Sequence, residues 1–284
     1  MKIDAHQHFW RYDPVQYGWI TDELARLRRD FLPRDLTPLL RARGFEGSIA
    51  VQAASEGENE FLFSLAEEAA SDPECLPIVG VVGWLDLTAE DAADQVARFA
   101  ATPRAVGLRH IVQDEPDPRF LDREDFRRGV RTLADHSLVY EVLIRPPQLE
   151  AALRFVPDLP EVSMVLDHLG KPPIASRDLT EWREGIETIA TSPHLSAKVS
   201  GLVTEARWLE WRKEDFREVL DVALEAFGSE RLMVGSDWPV CLLAAEYEEV
   251  FAILDDWLAP LSAAERAAIE GENAARVYRI SQSD

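Results

Sequence analysis

Eight short runs rich in apolar and β-branched residues recur along the 284-residue chain, and stretches of helical periodicity separate them. This alternation constrains the fold more than any other feature. The runs cover residues 3–8, 47–53, 78–85, 105–112, 138–144, 162–168, 195–200 and 232–236. Segments such as "IVGVVGWL" and "VSMVLD" are apolar almost throughout, as parallel strands buried on both faces must be. Between runs, Phe216, Val219, Leu220, Ala223, Leu224 and Phe227 recur at helical spacing, as do Tyr247, Val250, Phe251, Leu254 and Trp257. Those stripes read as core. Ser55 with Glu58, Thr88 with Asp91 and Ser262 with Glu265 have capping-box spacing, and the last predicts a helix over 262–278 after the eighth run. No Pro/Gly/Ser-rich linker divides the chain. The expectation is an α/β fold with residues 1–284 in a single TIM-type (β/α)8 barrel domain.

Charge narrows the partners. Lys and Arg total 30 against 52 Asp and Glu, a net charge of -22, which opposes binding to nucleic acid or to an anionic membrane. A small molecule remains the expected partner, since a local pocket can be basic inside an acidic shell. The start lacks a basic region followed by an apolar core, and no apolar run approaches a membrane-spanning length. Cys75 and Cys241 stand far apart in no metal-ligand spacing, which predicts reduced thiols in a cytoplasmic protein. Oligomeric state is not legible.

In such a barrel the chemistry belongs to the carboxyl ends of the strands. There the first run carries His6 and His8, the second Gln52, the fourth Arg109 and His110, the sixth Asp167 and His168, and the eighth Ser236 and Asp237. Alternate side chains of an extended strand face the same way, so His6 and His8 project together. An acid and imidazoles converging on one mouth make a general-base or metal site. Each residue also has a plainer reading: His168 as a satisfied buried histidine, Asp237 in "VGSDWP" as a turn cap, Lys171 as a surface lysine. Glu141 lies inside the fifth run, where a buried carboxylate needs a cation or a metal; ligand and structural ion pair both remain open. Trp10, Tyr17 and Trp19 either wall the pocket or pack over the barrel end. His136 and His194 receive no role. The absence of a Gly-x-Ser-x-Gly elbow argues against a serine nucleophile, and "GSDWP" lacks the glycine-rich cradle of phosphate-binding barrels.

With "DAHQHFW", "VQAASEGE", "GLRHIVQDEPD", "LDHLGKPPI", "KVSGLVTEA", "RLMVGSDWPVCLL" and "ENAARVY", the chain resembles the amidohydrolase superfamily, and within it the L-fuconolactonase and L-rhamnonolactonase-like sugar lactonases. The resemblance implies a distorted barrel and hydrolysis of a cyclic ester of a sugar acid to the free aldonate. It implies Asp237 as the acceptor of the water proton, with His6, His8 and His168 polarising the carbonyl directly or through a divalent cation. Gln52, Arg109, His110 and Lys171 would bind the sugar hydroxyls, with Trp84 as an apolar platform. The chain departs from binuclear members, having no lysine at the end of the fourth run and no histidine at the end of the fifth, so a two-metal site is not expected. Glu141 would replace the fifth-strand ligand beside His6, His8 and Asp237. Zinc is favoured over magnesium because nitrogen ligands dominate. Related lactonases can work without metal, which leaves that route open. The rival reading is a decarboxylase or hydratase acting on a small unsaturated or aromatic acid, distinguished by its product. A barrel that only binds fits Asp237 least well, since pure binding needs no poised base.

Overall fold

The computed structural model describes residues 1–54 and 57–281. Each apolar run forms a strand: β1 Ile3–Gln7, β2 Gly47–Val51, β3 Ile78–Gly83, β4 Ala105–His110, β5 Val139–Val142, β6 Met164–Leu166, β7 Leu195–Val199 and β8 Leu232–Val234. All pair in parallel and in chain order. The helices are α1 Pro33–Ala42, α2 Asn59–Ser71, α3 Ala92–Ala100, α4 Glu124–Asp135, α5 Leu149–Phe155, α6 Thr180–Ile189, α7 Leu202–Glu205, α8 Glu214–Phe227, α9 Tyr247–Leu258, α10 Ala263–Ala267 and α11 Asn273–Val277. This is a TIM-type (β/α)8 barrel, nearly closed. The seam between β8 and β1 is stitched beyond the end of β8, where His8 N–H donates to Trp238 O at 2.7 Å and Asp237 N–H to His6 O at 2.8 Å. The joint that shuts the barrel therefore lies among the candidate site residues.

Two apolar layers fill the structure. Inside the barrel, Ile3, Ala5, Ile49, Val51, Val82, Val139, Val165 and Met233 pack together, joined by Ala274 and Tyr278 from the C-terminal segment. Outside, helices lay their apolar stripes on the sheet; Phe216, Val219, Leu220 and Ala223 of α8 and Val250, Phe251, Leu254 and Trp257 of α9 are all buried. Each such Val, Leu or Phe side chain contributes roughly 1.5–3 kcal/mol by leaving water.

Observed strands are shorter than the runs, so His8, Gln52, His168 and Ser236 fall just past strand ends, in the connections that face the mouth. The alternation expected of β1 is also broken. Ile3 and Asp4 pair with Gly47 and Ser48, but Gln7 pairs with Ala50, so an extra residue sits between Asp4 and Gln7. This bulge lets consecutive Ala5 and His6 both reach the barrel interior.

The Ser262–Glu265 capping box forms, with the Ser262 N–H donating to the Glu265 carboxylate at 2.8 Å and the return bond at 3.3 Å. The Thr88–Asp91 box does not, because Thr88 Oγ1 donates to Asp86 Oδ1 at 2.6 Å in a turn and α3 begins only at Ala92. Ser55 lies outside the described residues. The single helix expected over 262–278 is broken by a π-helical turn, Ala268–Glu272, between α10 and α11. Its Gly271 passes so close to the start of β1 that an added Cβ would lie 2.1 Å from Met1 O. Among the described residues no helix is long and apolar enough to cross a membrane.

Candidate active site

Asp4 builds the seam. Its Oδ1 accepts from Ser236 N–H at 2.9 Å and His6 N–H at 3.3 Å, and its Oδ2 accepts from Tyr247 Oη at 3.1 Å. One carboxylate thereby ties β1, the segment after β8 and α9 together. Burial pushes Asp4 up to about 6, against those hydrogen bonds. Asp237, in a left-handed turn with φ 57°, is carried toward the histidines.

His8 Nδ1 lies 2.7 Å from Val51 O, an acceptor only, so Nδ1 carries a proton and Nε2 is the ring atom turned to Asp237. That Nε2 sits 3.3 Å from Asp237 Oδ1, and His6 Nε2 sits 3.8 Å from the same oxygen. Four ligands about 2.0–2.1 Å from a tetrahedral ion stand roughly 3.3–3.4 Å apart, so the spacing and nitrogen-rich donor set fit a zinc-like cation. Among the described residues, two groups of donors lie close enough to hold an ion, His6–His8–Asp237 and His6–Asp167–His168, with His6 common to both.

His168 arrives by a different device. His168, Leu169, Gly170 and Lys171 have φ of 53°, 52°, 67° and 56°, four successive left-handed residues, at roughly 1–2 kcal/mol for each that is not glycine. Trp182 Nε1 donates to Leu169 O at 2.8 Å, Lys171 N–H donates to His168 O at 2.9 Å, and His168 Nδ1 meets Ser200 Oγ at 2.9 Å. The turn aims His168 and Lys171 into the mouth, with the His168 ring centroid 4.4 Å from that of His6.

Burial pushes His168 down to about 4, overriding the nearby Asp237 and Asp167 carboxylates. His6 lies well below the usual imidazole value, through burial and then the Lys198 charge. Both rings are therefore neutral near pH 7 and can act as ligands or hydrogen-bonding groups. Burial alone would raise Asp237, but the surrounding imidazoles, His168 first and then His8 and His6, outweigh it and hold the carboxyl below its usual range.

Beneath lies an ionic layer. Arg109 Nη1 stands 3.0 Å from Asp167 Oδ2 and 3.3 Å from His6 Nε2. Lys198 Nζ stands 2.5 Å from Glu141 Oε1, 3.3 Å from Asp167 Oδ1 and 3.2 Å from His6 Nδ1. Tyr278 Oη donates to Glu141 Oε1 at 2.5 Å. Burial would raise Asp167, but Lys198 and His6 outweigh it and keep it well below the carboxylate range. Burial, followed by the neighbouring Asp167 charge, pushes Glu141 up to about 7.

Above this layer opens a cavity of about 290 Å³, walled by His8, Trp19, Arg109, His168, Lys171 and Asp237 and also by Gln113, Arg145 and Thr204. Small-ligand pockets start near about 300 Å³. The structure thus gathers His6, His8, His168, Asp237, Arg109 and Lys171 at one mouth. Other sequence candidates fall elsewhere. Gln52 Nε2 donates to Arg109 O at 3.1 Å and the Gln52 backbone carbonyl accepts from the guanidinium, so it braces Arg109 outside the cavity wall. His110 pairs with Glu115 at 2.6 Å and stacks on Phe120, its ring centroid 4.6 Å away. The Trp84 backbone bonds Asn59 and its ring lies 6.4 Å from His110, outside the cavity lining, whereas Trp19 borders the cavity. Glu141 is engaged by Lys198 and Tyr278 and belongs to neither donor group, so the ion-pair reading describes its contacts. Sequence reasoning passed over Lys198, the partner of Glu141. Its signal was a lysine inside the apolar seventh run.

A sequence model of the amidohydrolase family matches residues 3–280. An L-fucono-1,5-lactonase from Burkholderia multivorans is 46% identical, over 99% of this chain and 96% of its own. A second protein of that name, from Burkholderia ambifaria, is 33% identical over 98% of this chain and 96% of its own. The crystal structure of an amidohydrolase from Burkholderia multivorans with bound zinc has a TM-score of 0.93 and 44% identity, covering 99% of this chain and 100% of that one. With a match of this extent over the barrel and its mouth, the chain belongs to the amidohydrolase family.

Proposed function

We propose that the protein hydrolyses a sugar-acid lactone of the L-fucono-1,5-lactone kind, opening the ring to the free aldonate, with Asp237 as the proton carrier. The observation that carries this reading is the convergence of Asp237 on His6 and His8, with His168 beside them, in one cavity fringed by cations. The two full-length relatives of that name support the substrate class.

Ester opening needs three services: activation of water, stabilisation of the oxyanion, and a proton for the departing ring oxygen. Asp237 stays ionised and is a weak base in the resting site. It accepts the water proton only as the O–C bond forms and the water turns acidic. The same carboxyl then returns the proton to the ring alkoxide, so no net proton is gained before the aldonic acid ionises. His168, held through Nδ1 by Ser200, presents Nε2 toward the mouth as a neutral hydrogen-bonding group. Lys171 and Arg109 supply positive potential where oxyanion and product carboxylate develop. His6, His8 and Asp237 would hold a divalent ion, zinc by donor chemistry, which supplies Lewis acidity toward the carbonyl when bound. Trp19 offers the ring an apolar face. The unpaired Cys75 and Cys241 fit a cytoplasmic setting.

The test is a pH-indicator screen of aldonolactones with wild type and Asp237→Asn, repeated after chelation. Acid release by wild type, without carbon dioxide, and a loss of at least about 100-fold in the variant are expected. Equal release by both removes Asp237 from the mechanism; carbon dioxide instead of ring opening replaces the lactonase reading with a decarboxylase. Loss of activity on chelation, restored by zinc, would assign the ion.

A further inference from the structure

Lys198 is a lysine with no exposed surface inside the barrel, and the lactone chemistry above makes no use of it. Its ammonium is surrounded by atoms a divalent ion would also seek: Glu141 Oε1 at 2.5 Å, His6 Nδ1 at 3.2 Å and Asp167 Oδ1 at 3.3 Å. Two further observations mark this as a cation position. Glu141 Oε2 is buried with no hydrogen-bond partner, and Asp167 Oδ1 is held only by its ion-pair contacts to Lys198 and His6, so the carboxylates have spare ligand capacity. Asp167 also belongs, with His6 and His168, to the second of the two donor groups, yet its two oxygens face Lys198 and Arg109.

We infer that Lys198 is a resident cation occupying a second cation position, formed by Glu141, Asp167 and His6, and that it confines divalent-ion binding to the His6–His8–Asp237 cluster. Charge counting gives the physical reason. With the histidines neutral and Glu141 ionised beside the Lys198 ammonium, Lys198 and Arg109 face the three carboxylates Glu141, Asp167 and Asp237, leaving one negative charge in excess. One divalent ion turns this into one excess positive charge, which a low-dielectric interior tolerates; a second ion would make three. Replacing the ammonium by a neutral side chain strands two carboxylates and a histidine around the vacated volume. That set binds an ion or takes up protons. The inference concerns ion stoichiometry, so it stands or falls separately from the lactonase reading.

The experiment counts tightly held zinc. Wild type, Lys198→Met, Lys198→Arg and the Lys198→Met/Glu141→Gln double variant are stripped of metal, loaded with zinc, dialysed against a weak chelator and measured by mass spectrometry. Lys198→Met should retain one more equivalent per chain than wild type, and Lys198→Arg and the double variant should not. Equal zinc in wild type and folded Lys198→Met overturns the inference, as does a second tight equivalent in wild type. If Lys198→Met folds only poorly, zinc should restore soluble, cooperatively melting protein; insolubility with and without zinc counts against it.

Discussion

Ser200 Oγ lies 2.9 Å from His168 Nδ1, and the next residue, Gly201, leaves no space for a side chain against the same ring. A Cβ at Gly201 would stand 2.5 Å from that Nδ1, and the backbone there has φ 63°. The imidazole is thus steered from its rear by one hydroxyl and one missing methyl. Ser200→Ala should lower kcat by about 10- to 100-fold with little change in KM or Tm, the usual cost of losing the group that orients a functional histidine. Gly201→Ala should cost more and should also lower Tm, because it adds backbone strain to the clash. Steady-state kinetics and thermal melting on both variants decide this; unchanged kcat in both would show that His168 needs no steering.

His194 provides the contrast. Its Nε2 meets Val156 O at 3.0 Å, away from the mouth, whereas His168 lines the cavity. His168→Asn should therefore reduce turnover by at least about 100-fold, while His194→Asn should leave kcat near wild type and act only on stability. Comparable losses of kcat from both would remove His168 from the mechanism.

The barrel was legible because parallel strands are buried on both faces, which leaves continuous apolar runs such as that around Val165 and Val81. His6, His8, His168 and Asp237 were legible because they stand at or just past the carboxyl ends of such runs, where the barrel opens. Departures arose wherever position depends on backbone detail rather than periodicity. The bulge that turns both Ala5 and His6 inward leaves no residue signature, and the left-handed turn at His168–Lys171 contains only one glycine in four positions. The sequence favoured Trp84 as the apolar platform, whereas Trp19 borders the cavity, because that placement depends on how loops from different strands fold over one another. Lys198 was hidden by expectation: a lone lysine in a strand reads as surface until Glu141 is placed beside it.

The tryptophan exchange is itself testable. Trp19 borders the cavity and remains 36% exposed, edge-on to Trp10 with ring centroids 5.9 Å apart. Trp84 lies outside that wall. Trp19→Ala should raise KM for the preferred lactone several-fold, as expected for a lost apolar contact worth about 1 kcal/mol, with kcat less affected. Lactone or aldonate binding should quench the tryptophan emission of wild type and not that of Trp19→Ala. Trp84→Ala should leave KM unchanged; a rise in KM from Trp84→Ala and none from Trp19→Ala would restore the sequence-based choice.

Glu58 sets a pH dependence of stability away from the reacting groups. It is buried, and its Oε2 accepts from Ala53 N–H at 2.6 Å and Ala54 N–H at 2.8 Å, while Oε1 accepts from Tyr17 Oη at 2.6 Å. The bond to Tyr17 ties the long segment after β1 to the one after β2. Burial raises Glu58 above the usual carboxylate range, against the pull of these three hydrogen bonds. A carboxyl raised on folding binds its proton more tightly in the native state than in the unfolded chain. Its contribution is therefore fully present below the ordinary Glu value and is lost as pH rises through the raised folded value. Glutamine can reproduce all three contacts without charge, its amide oxygen taking both backbone N–H groups and its NH2 donating to the Tyr17 oxygen. Urea unfolding from pH 4 to 8 should show wild-type stability falling relative to Glu58→Gln as pH increases, and the variant should be at least as stable as wild type at pH 8. Parallel profiles for the two proteins would mean that Glu58 folds with an ordinary carboxylate, its hydrogen bonds matching the cost of burial.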